Sequence, residues 1–236
     1  MLREGFKLEK KKTLAVVSGG MDSVTMLHDL YDQGHDLSVV SFNYGQRHIK
    51  ELEVAKKNAE KLSLKHRIVD MSFLAQLLDN SALTGETSVP EGHYADENMK
   101  LTVVPNRNMI MASLAIGIAV NDGLNNIALG VHSGDHAIYP DCRPEFIQKL
   151  GAVARIANYE PVNVLAPYIE MDKGSIIARG LEIDTMDYAD TWTCYKGGDI
   201  ACGVCGSCQE RLEGFLTNNI KDPLEYATRE IQPANN

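Results

Sequence analysis

Thr13-Leu14-Ala15-Val16-Val17-Ser18-Gly19-Gly20-Met21-Asp22-Ser23 decides the fold. An apolar, β-prone run ends at a serine and two adjacent glycines. Apolar residues then recur with helical spacing at Val24, Leu27, Leu30 and Tyr31. A strand, a tight turn and a helix in this order put the free N–H groups of a first helical turn at a strand end, where the helix dipole adds positive potential. Paired glycines let the backbone come close to an anion, and Ser18 and Ser23 offer hydroxyls to phosphate oxygens. It is not a Walker loop, because no Gly-Lys-Ser/Thr follows, and it lacks the three-glycine spacing of a dinucleotide turn.

The same alternation continues outward. Leu37 to Phe42 predicts a second strand, and a helix follows from about Arg47 to Leu62 with Leu52, Ala55, Ala59 and Leu62 on one face. Arg67 to Val69 predicts a strand centre, Asn108 to Asn121 a helix stopped by Gly123, and Ile127 to Leu129 a strand. Glu145 to Ala157 predicts a helix, Val162 to Leu165 a strand, and Asp172 caps a helix running to about Arg179. Such alternation implies an α/β fold with a parallel sheet covered on both faces, and ligands at the C-terminal strand ends. Asp79 to Pro105 breaks the rhythm; a polar stretch of that length reads as a lid over the site or as disorder. The tail after Pro223 is expected to fray.

The chain has 236 residues, 44% of them hydrophobic and 23% charged, a composition that suits a globular protein. No apolar run reaches membrane-spanning length, and the polar, basic N-terminus has no signal-peptide core, so a cytoplasmic protein is expected. A net charge of −9 argues against non-specific nucleic-acid binding. Of five cysteines, Cys194, Cys202, Cys205 and Cys208 follow the spacing C-x7-C-x2-C-x2-C. In a reducing compartment four thiolates at this density predict a closed tetrahedral zinc site, with an iron–sulfur cluster as the competitor. Lys196 and Arg211 are expected to offset its negative charge. This divides the chain into an α/β domain over 1–190 and a four-cysteine module with its tail over 191–236.

Three polar segments fall at predicted strand ends: Tyr44-Gly45-Gln46-Arg47-His48, Val104-Pro105-Asn106-Arg107-Asn108, and Asp135-His136-Ala137-Ile138-Tyr139-Pro140-Asp141-Cys142-Arg143. Together they supply aromatic, amide and guanidinium groups suited to a flat heterocycle. Cys142 reads as a buried thiol rather than a nucleophile.

The turn from Ser18 to Ser23 resembles the SGGxDS signature of the PP-loop ATP pyrophosphatases. Taken with the three segments and the cysteines, the chain from Thr13 to about Phe215 resembles the 7-cyano-7-deazaguanine synthase family. The resemblance implies a Rossmann-like parallel sheet of the adenine nucleotide alpha hydrolase type with a small C-terminal zinc-binding segment. It implies a ligase forming C–N bonds, which adenylates 7-carboxy-7-deazaguanine with ATP, forms the amide with free ammonia, and dehydrates it to the nitrile after a second activation. It implies that Ser18, Gly19, Gly20, Met21, Asp22, Ser23, Val24, Thr25, Met26, Leu27 and His28 bind ATP, that the four cysteines bind zinc, and that the enzyme is a homodimer. Asp22 is then the residue to organise magnesium on pyrophosphate. Arg47, Arg107 and Arg143 become contacts for phosphate or the substrate carboxylate, and Asp141 an acceptor for the guanine-like edge. Against the family pattern the chain carries Asn43 before Tyr44, Asn106 where glycine is common, His132-Ser133-Gly134 before Asp135, and Trp192-Thr193 before Cys194. The alternatives are an amide-forming variant, a PP-loop enzyme that thiolates tRNA or joins lysine to it, and a binding module without catalysis.

Overall fold

The structure, a computed structural model, describes residues 11–46 and 50–233. Its centre is a five-stranded, wholly parallel sheet in the order β3-β2-β1-β4-β5, made of β1 (Lys12–Val16), β2 (Asp36–Asn43), β3 (Lys65–Asp70), β4 (Asn126–Ala128) and β5 (Asn163–Leu165). Between and after them come α1 (Met21–Asp32), α2 (Lys50–Lys61), the single turn α3 (Leu74–Leu77), α4 (Arg107–Asn121), α5 (Pro144–Ile156), α6 (Lys173–Leu181) and α7 (Gly206–Thr217). The predicted order of strands and helices is therefore present.

Alternation along β1 explains how both faces are covered, because successive side chains point to opposite sides. Leu14 packs with Val40, Phe42 and Ile127 under Ala112, Ala115 and Ala119 of α4 and Leu150 and Ala154 of α5. Its neighbours Ala15 and Val17 pack on the other face with Val24 and Leu27 of α1, Ala55 and Ala59 of α2, and Ile176 of α6. The strand order reverses direction at β1. The crevice beyond the carboxyl ends of β1 and β4 is thus the switch point where such sheets bind ligands.

Helix ends follow the sequence signals. Gly123 takes φ +67° just after α4. Asp172 Oδ1 accepts the Ser175 N–H at 2.7 Å and caps α6. Asp172→Ala is expected to cost about 1 kcal/mol of stability in urea unfolding, the usual worth of an N-cap.

Three expectations are corrected. The 79–105 stretch is packed: the Ala82 N–H donates to Leu101 O at 2.7 Å, Glu91 bridges antiparallel to Cys205, and the Gly92 N–H donates to Val204 O at 3.0 Å. Its backbone groups find partners on the cysteine module, so the segment is laid down rather than loose. The tail, described to residue 233, does not fray there. The Ala227 N–H donates to Ala201 O at 2.8 Å, and the buried Gln209 side chain binds Glu230 O at 2.9 Å and the Gln232 N–H at 2.6 Å. Arg211 does not offset the thiolates: it is fully enclosed with Asp222, Nε to Oδ2 at 2.7 Å and Nη2 to Oδ1 at 2.9 Å, whereas Lys196, raised first by its bond to Glu91, is raised further by the Cys202 and Cys205 sulfurs and so offsets them in part.

Candidate active site

The phosphate loop leaves β1 at the switch point. Gly19 has φ +99°, and a Cβ there would stand 2.0 Å from Glu51 O, so only glycine fits. Gly20 is the N-cap of α1 and provides no side-chain cap, which leaves first-turn N–H groups open to an anion. Ser18 and Ser23 brace the turn: Ser23 Oγ donates to Gly20 O at 3.0 Å, and Ser18 Oγ accepts the Gly20 N–H at 3.2 Å. At the end of β4, Gly130 lets the chain pass α1 so closely that a Cβ would come within 2.9 Å of Ser23 Cα.

Beyond this loop opens a cavity of about 210 Å³. Ser18, Asp22 and Ser23 form one end; Tyr44, Arg107, Tyr139 and Tyr195 form an aromatic and cationic wall; Glu51, Asp135 and Thr193 also face it. Arg107 lies over the Tyr44 ring, 5.8 Å from its centroid, and Tyr139 Oη is 2.6 Å from Thr102 Oγ1. Burial pushes the Glu51 carboxyl up to about 8; Arg107 opposes this and the Cys194 sulfur adds to it. Burial, with Asp135 and Asp141 nearby, raises the Cys142 thiol, so it stays protonated and is no nucleophile.

Behind Asp22 lies a buried cluster that sequence reasoning missed. Lys173 Nζ is 2.7 Å from Asp22 Oδ2, 3.1 Å from Glu210 Oε2 and 3.0 Å from His132 Nε2. Burial works against the ammonium, but Asp22 and Glu210 outweigh it and hold Lys173 above the ordinary lysine range. Burial likewise works against the Asp22 carboxylate, and Lys173 and His132 overcome it, so Asp22 stays below its ordinary value. One signal was available. Lys173 is the first residue of α6, where the dipole disfavours a cation, and such a placement implies a partner elsewhere.

The expected residues divide clearly. Ser18, Asp22, Ser23 and Arg107 line the cavity. Val24, Met26 and Leu27 point into the core, and Met21 packs with Ile177, Tyr188 and Phe215. Thr25 Oγ1 donates to Met21 O at 2.7 Å, and His28 is held by Thr185 and Asn58 at 2.9 Å each, so these later residues of α1 face away from the loop. Helical geometry explains this: only the first turn of α1 reaches the strand ends. Asp141 Oδ2 accepts the Asn108 N–H at 3.0 Å at the start of α4, and Arg143 is exposed with Nε donating to His136 O at 2.8 Å. Arg47 lies outside the described residues.

Cys194, Cys202, Cys205 and Cys208 converge, their sulfurs all within 4.8 Å of one another. The Cys202–Cys208 separation is 3.9 Å, close to the edge of about 3.8 Å that a tetrahedron with 2.3 Å metal–sulfur bonds requires. All are free thiols, far from disulfide length. Backbone N–H groups of Cys202, Val204 and Cys205 point at the sulfurs of Cys194 or Cys202 at 3.3–3.4 Å, as suits charged thiolates. The donors and their spacing fit one metal ion.

A phosphate loop at the switch point of a parallel sheet, opening on a cavity lined by a half-buried guanidinium, defines a nucleotide-using α/β enzyme of the PP-loop type. The model for "Queuosine biosynthesis protein QueC" matches residues 12–219, and the chain belongs to this family. It is 53% identical over 216 residues to the 7-cyano-7-deazaguanine synthase of Pseudoalteromonas translucida, covering 92% of this chain and 99% of that one. It is 53% identical over 213 residues to that of Marinobacter nauticus, covering 90% and 96%.

Proposed function

We propose that the cavity converts 7-carboxy-7-deazaguanine, ammonia and ATP into 7-cyano-7-deazaguanine, which makes the chain a C–N bond-forming ligase of queuosine biosynthesis. The observation that carries the chemistry is the uncapped first turn of α1 beside a cavity lined by the half-buried Arg107. A carboxylate is a poor electrophile, so the substrate acid attacks the α-phosphate of ATP, pyrophosphate leaves with the electron pair of the broken P–O bond, and the acid becomes an acyl adenylate. Ammonia displaces AMP to give the amide; the amide oxygen then attacks a second ATP with release of pyrophosphate, and departure of that oxygen in AMP with loss of the two N–H protons leaves the nitrile.

In this reading Ser18 to Ser23 hold the phosphates through first-turn N–H groups and hydroxyls. Asp22 Oδ1 is buried with no hydrogen-bond partner among the described residues, the acceptor left for a magnesium ion on the polyphosphate. Magnesium, when bound, neutralises charge on the leaving pyrophosphate. Lys173 assists from behind Asp22. Arg107 orients the substrate carboxylate, and Tyr44, Tyr139 and Tyr195 enclose the heterocycle. Asp141 and Arg143 serve by shaping the loop that carries Tyr139. The division into an α/β domain to residue 190 and a cysteine module beyond it, a homodimeric assembly, and a cytoplasmic setting belong to the same reading. Zinc suits the four thiolates, since thiolates bound to different irons of a cluster would stand farther apart. A tRNA thiolase would need a reactive cysteine outside a closed site, and the protonated Cys142 does not serve. Among the described residues no helix is long and apolar enough to cross a membrane.

The test is exchange of labelled pyrophosphate into ATP. Exchange that depends on 7-carboxy-7-deazaguanine supports adenylation; exchange with no added acid, or none at all, contradicts it. Lys173→Met is expected to lower this exchange about 10²–10³-fold, the usual effect of removing one electrostatic stabiliser, without loss of bound metal.

A further inference from the structure

The reaction proposed above needs a base for ammonia, and the following rests on that reading. In neutral water ammonia is mostly ammonium, which has no lone pair to attack an acyl adenylate. A site that uses this abundant cation needs an acceptor that binds it and removes a proton. Three carboxylates line the cavity: Asp22, Glu51 and Asp135. Asp22 Oδ2 is committed to Lys173 at 2.7 Å, and Asp135 Oδ2 is 3.5 Å from His132 Nε2. Glu51 alone of the three has no hydrogen bond or ion pair with its carboxylate among the described residues; its charged neighbours are Arg107 and the Cys194 sulfur. Its location is set by the backbone. Glu51 lies in the first turn of α2, and its carbonyl fills the space a Cβ on Gly19 would need, so it stands against the phosphate loop. Glu51 thus lines the same cavity as the phosphate-loop residues Ser18, Asp22 and Ser23 and as Arg107 and Tyr195.

We propose that Glu51 binds ammonium in the cavity and acts as its general base. In its ionised form the Glu51 carboxylate takes one proton from ammonium and passes it to solvent. The freed nitrogen lone pair forms a C–N bond to the acyl carbon, and the C–O bond to the adenylyl group breaks, so AMP leaves with that electron pair. The surplus proton on the new C–N nitrogen then goes to Glu51, leaving the neutral amide.

Glu51→Gln keeps the side-chain volume and removes the base. Substrate-dependent pyrophosphate exchange should stay within about threefold of the unmodified protein, while ammonia-dependent product falls about 10²-fold or more, the range for loss of a general base. Hydroxylamine, already unprotonated at neutral pH, should restore turnover in the variant as the hydroxamate. Glu51→Asp, which keeps a carboxylate, should retain exchange and recover part of the ammonia-dependent rate; it also serves if the glutamine variant does not fold. Equal loss of exchange and product, no rescue by hydroxylamine, or product formation unchanged in Glu51→Gln each overturns the assignment. Absence of exchange in the unmodified protein overturns the parent reading, and this one with it.

Discussion

Gly19→Ala is expected to abolish substrate-dependent AMP formation, a loss of about 10³-fold or more, because the change acts on the phosphate-binding turn itself. Two independent costs coincide. The residue holds φ +99°, which a side chain disfavours. The new methyl would also stand 2.0 Å from Glu51 O, a backbone atom that no rotamer change removes. Relief requires the first turn of α2 and the phosphate loop to separate, which moves Glu51 and the N–H groups of α1 together. Trp192 N–H, donating to Gly19 O at 2.9 Å, would lose its acceptor geometry as well. Nucleotide binding by calorimetry, compared with metal content and circular dichroism, separates loss of the loop from loss of the fold. Gly20→Ala is the contrast: Gly20 is extended at φ −65°, its Cβ would stand 3.3 Å from Ser18 Oγ, and a far smaller effect is expected.

Asp222→Ala is expected to destabilise the protein by about 3–5 kcal/mol, the cost of leaving a buried charge without its partner. Arg211 and Asp222 are both fully enclosed, joined by two hydrogen bonds. Arg211 also donates to Thr191 Oγ1 at 2.6 Å and to Tyr188 O at 2.9 Å, so it fastens α7 to the segment that leads into Cys194. Asp222 further accepts from Tyr226 Oη at 2.6 Å and the Leu224 N–H at 3.0 Å, which ties down the tail. Against a typical total stability of about 5–15 kcal/mol such a loss is large. Urea unfolding of the metal-loaded protein measures it. A loss below about 1 kcal/mol, the scale of a surface ion pair, would show that the pair is not the fastening described.

The contrast between these two sites shows what the sequence carries. Gly19, Gly20 and Ser23 announce a phosphate turn because the chemistry is local: strand, turn and first helical turn lie within a dozen residues. The four cysteines are equally local, and the strand–helix alternation orders the sheet through apolar periodicity. Asn106, noted as standing where glycine is common, takes φ +59°, a left-handed conformation that asparagine tolerates. The cluster of Lys173, Glu210 and His132 is not legible, because Lys173 and His132 meet Asp22, and Glu210 meets Lys173, from separate parts of the fold far apart in the chain. The family resemblance extends ATP binding to Val24 through His28; a helix turns its side chains around the axis, and in this fold Val24, Met26 and Leu27 face the core. Asp141 and Arg143 look like ligand groups in isolation; their bonds to Asn108 and His136 are visible only once the loop is folded. The tail escaped notice because its anchor, Gln209, lies in the cysteine module and bonds to Glu230 O and the Gln232 N–H.

Mass spectrometry of the products formed from ATP, magnesium, ammonia and 7-carboxy-7-deazaguanine by the metal-loaded protein tests the central claim most directly. The account predicts 7-cyano-7-deazaguanine, with AMP appearing only when the acid is present. An amide that is never dehydrated would contradict the assigned product, and the absence of acid-dependent AMP would contradict adenylation itself.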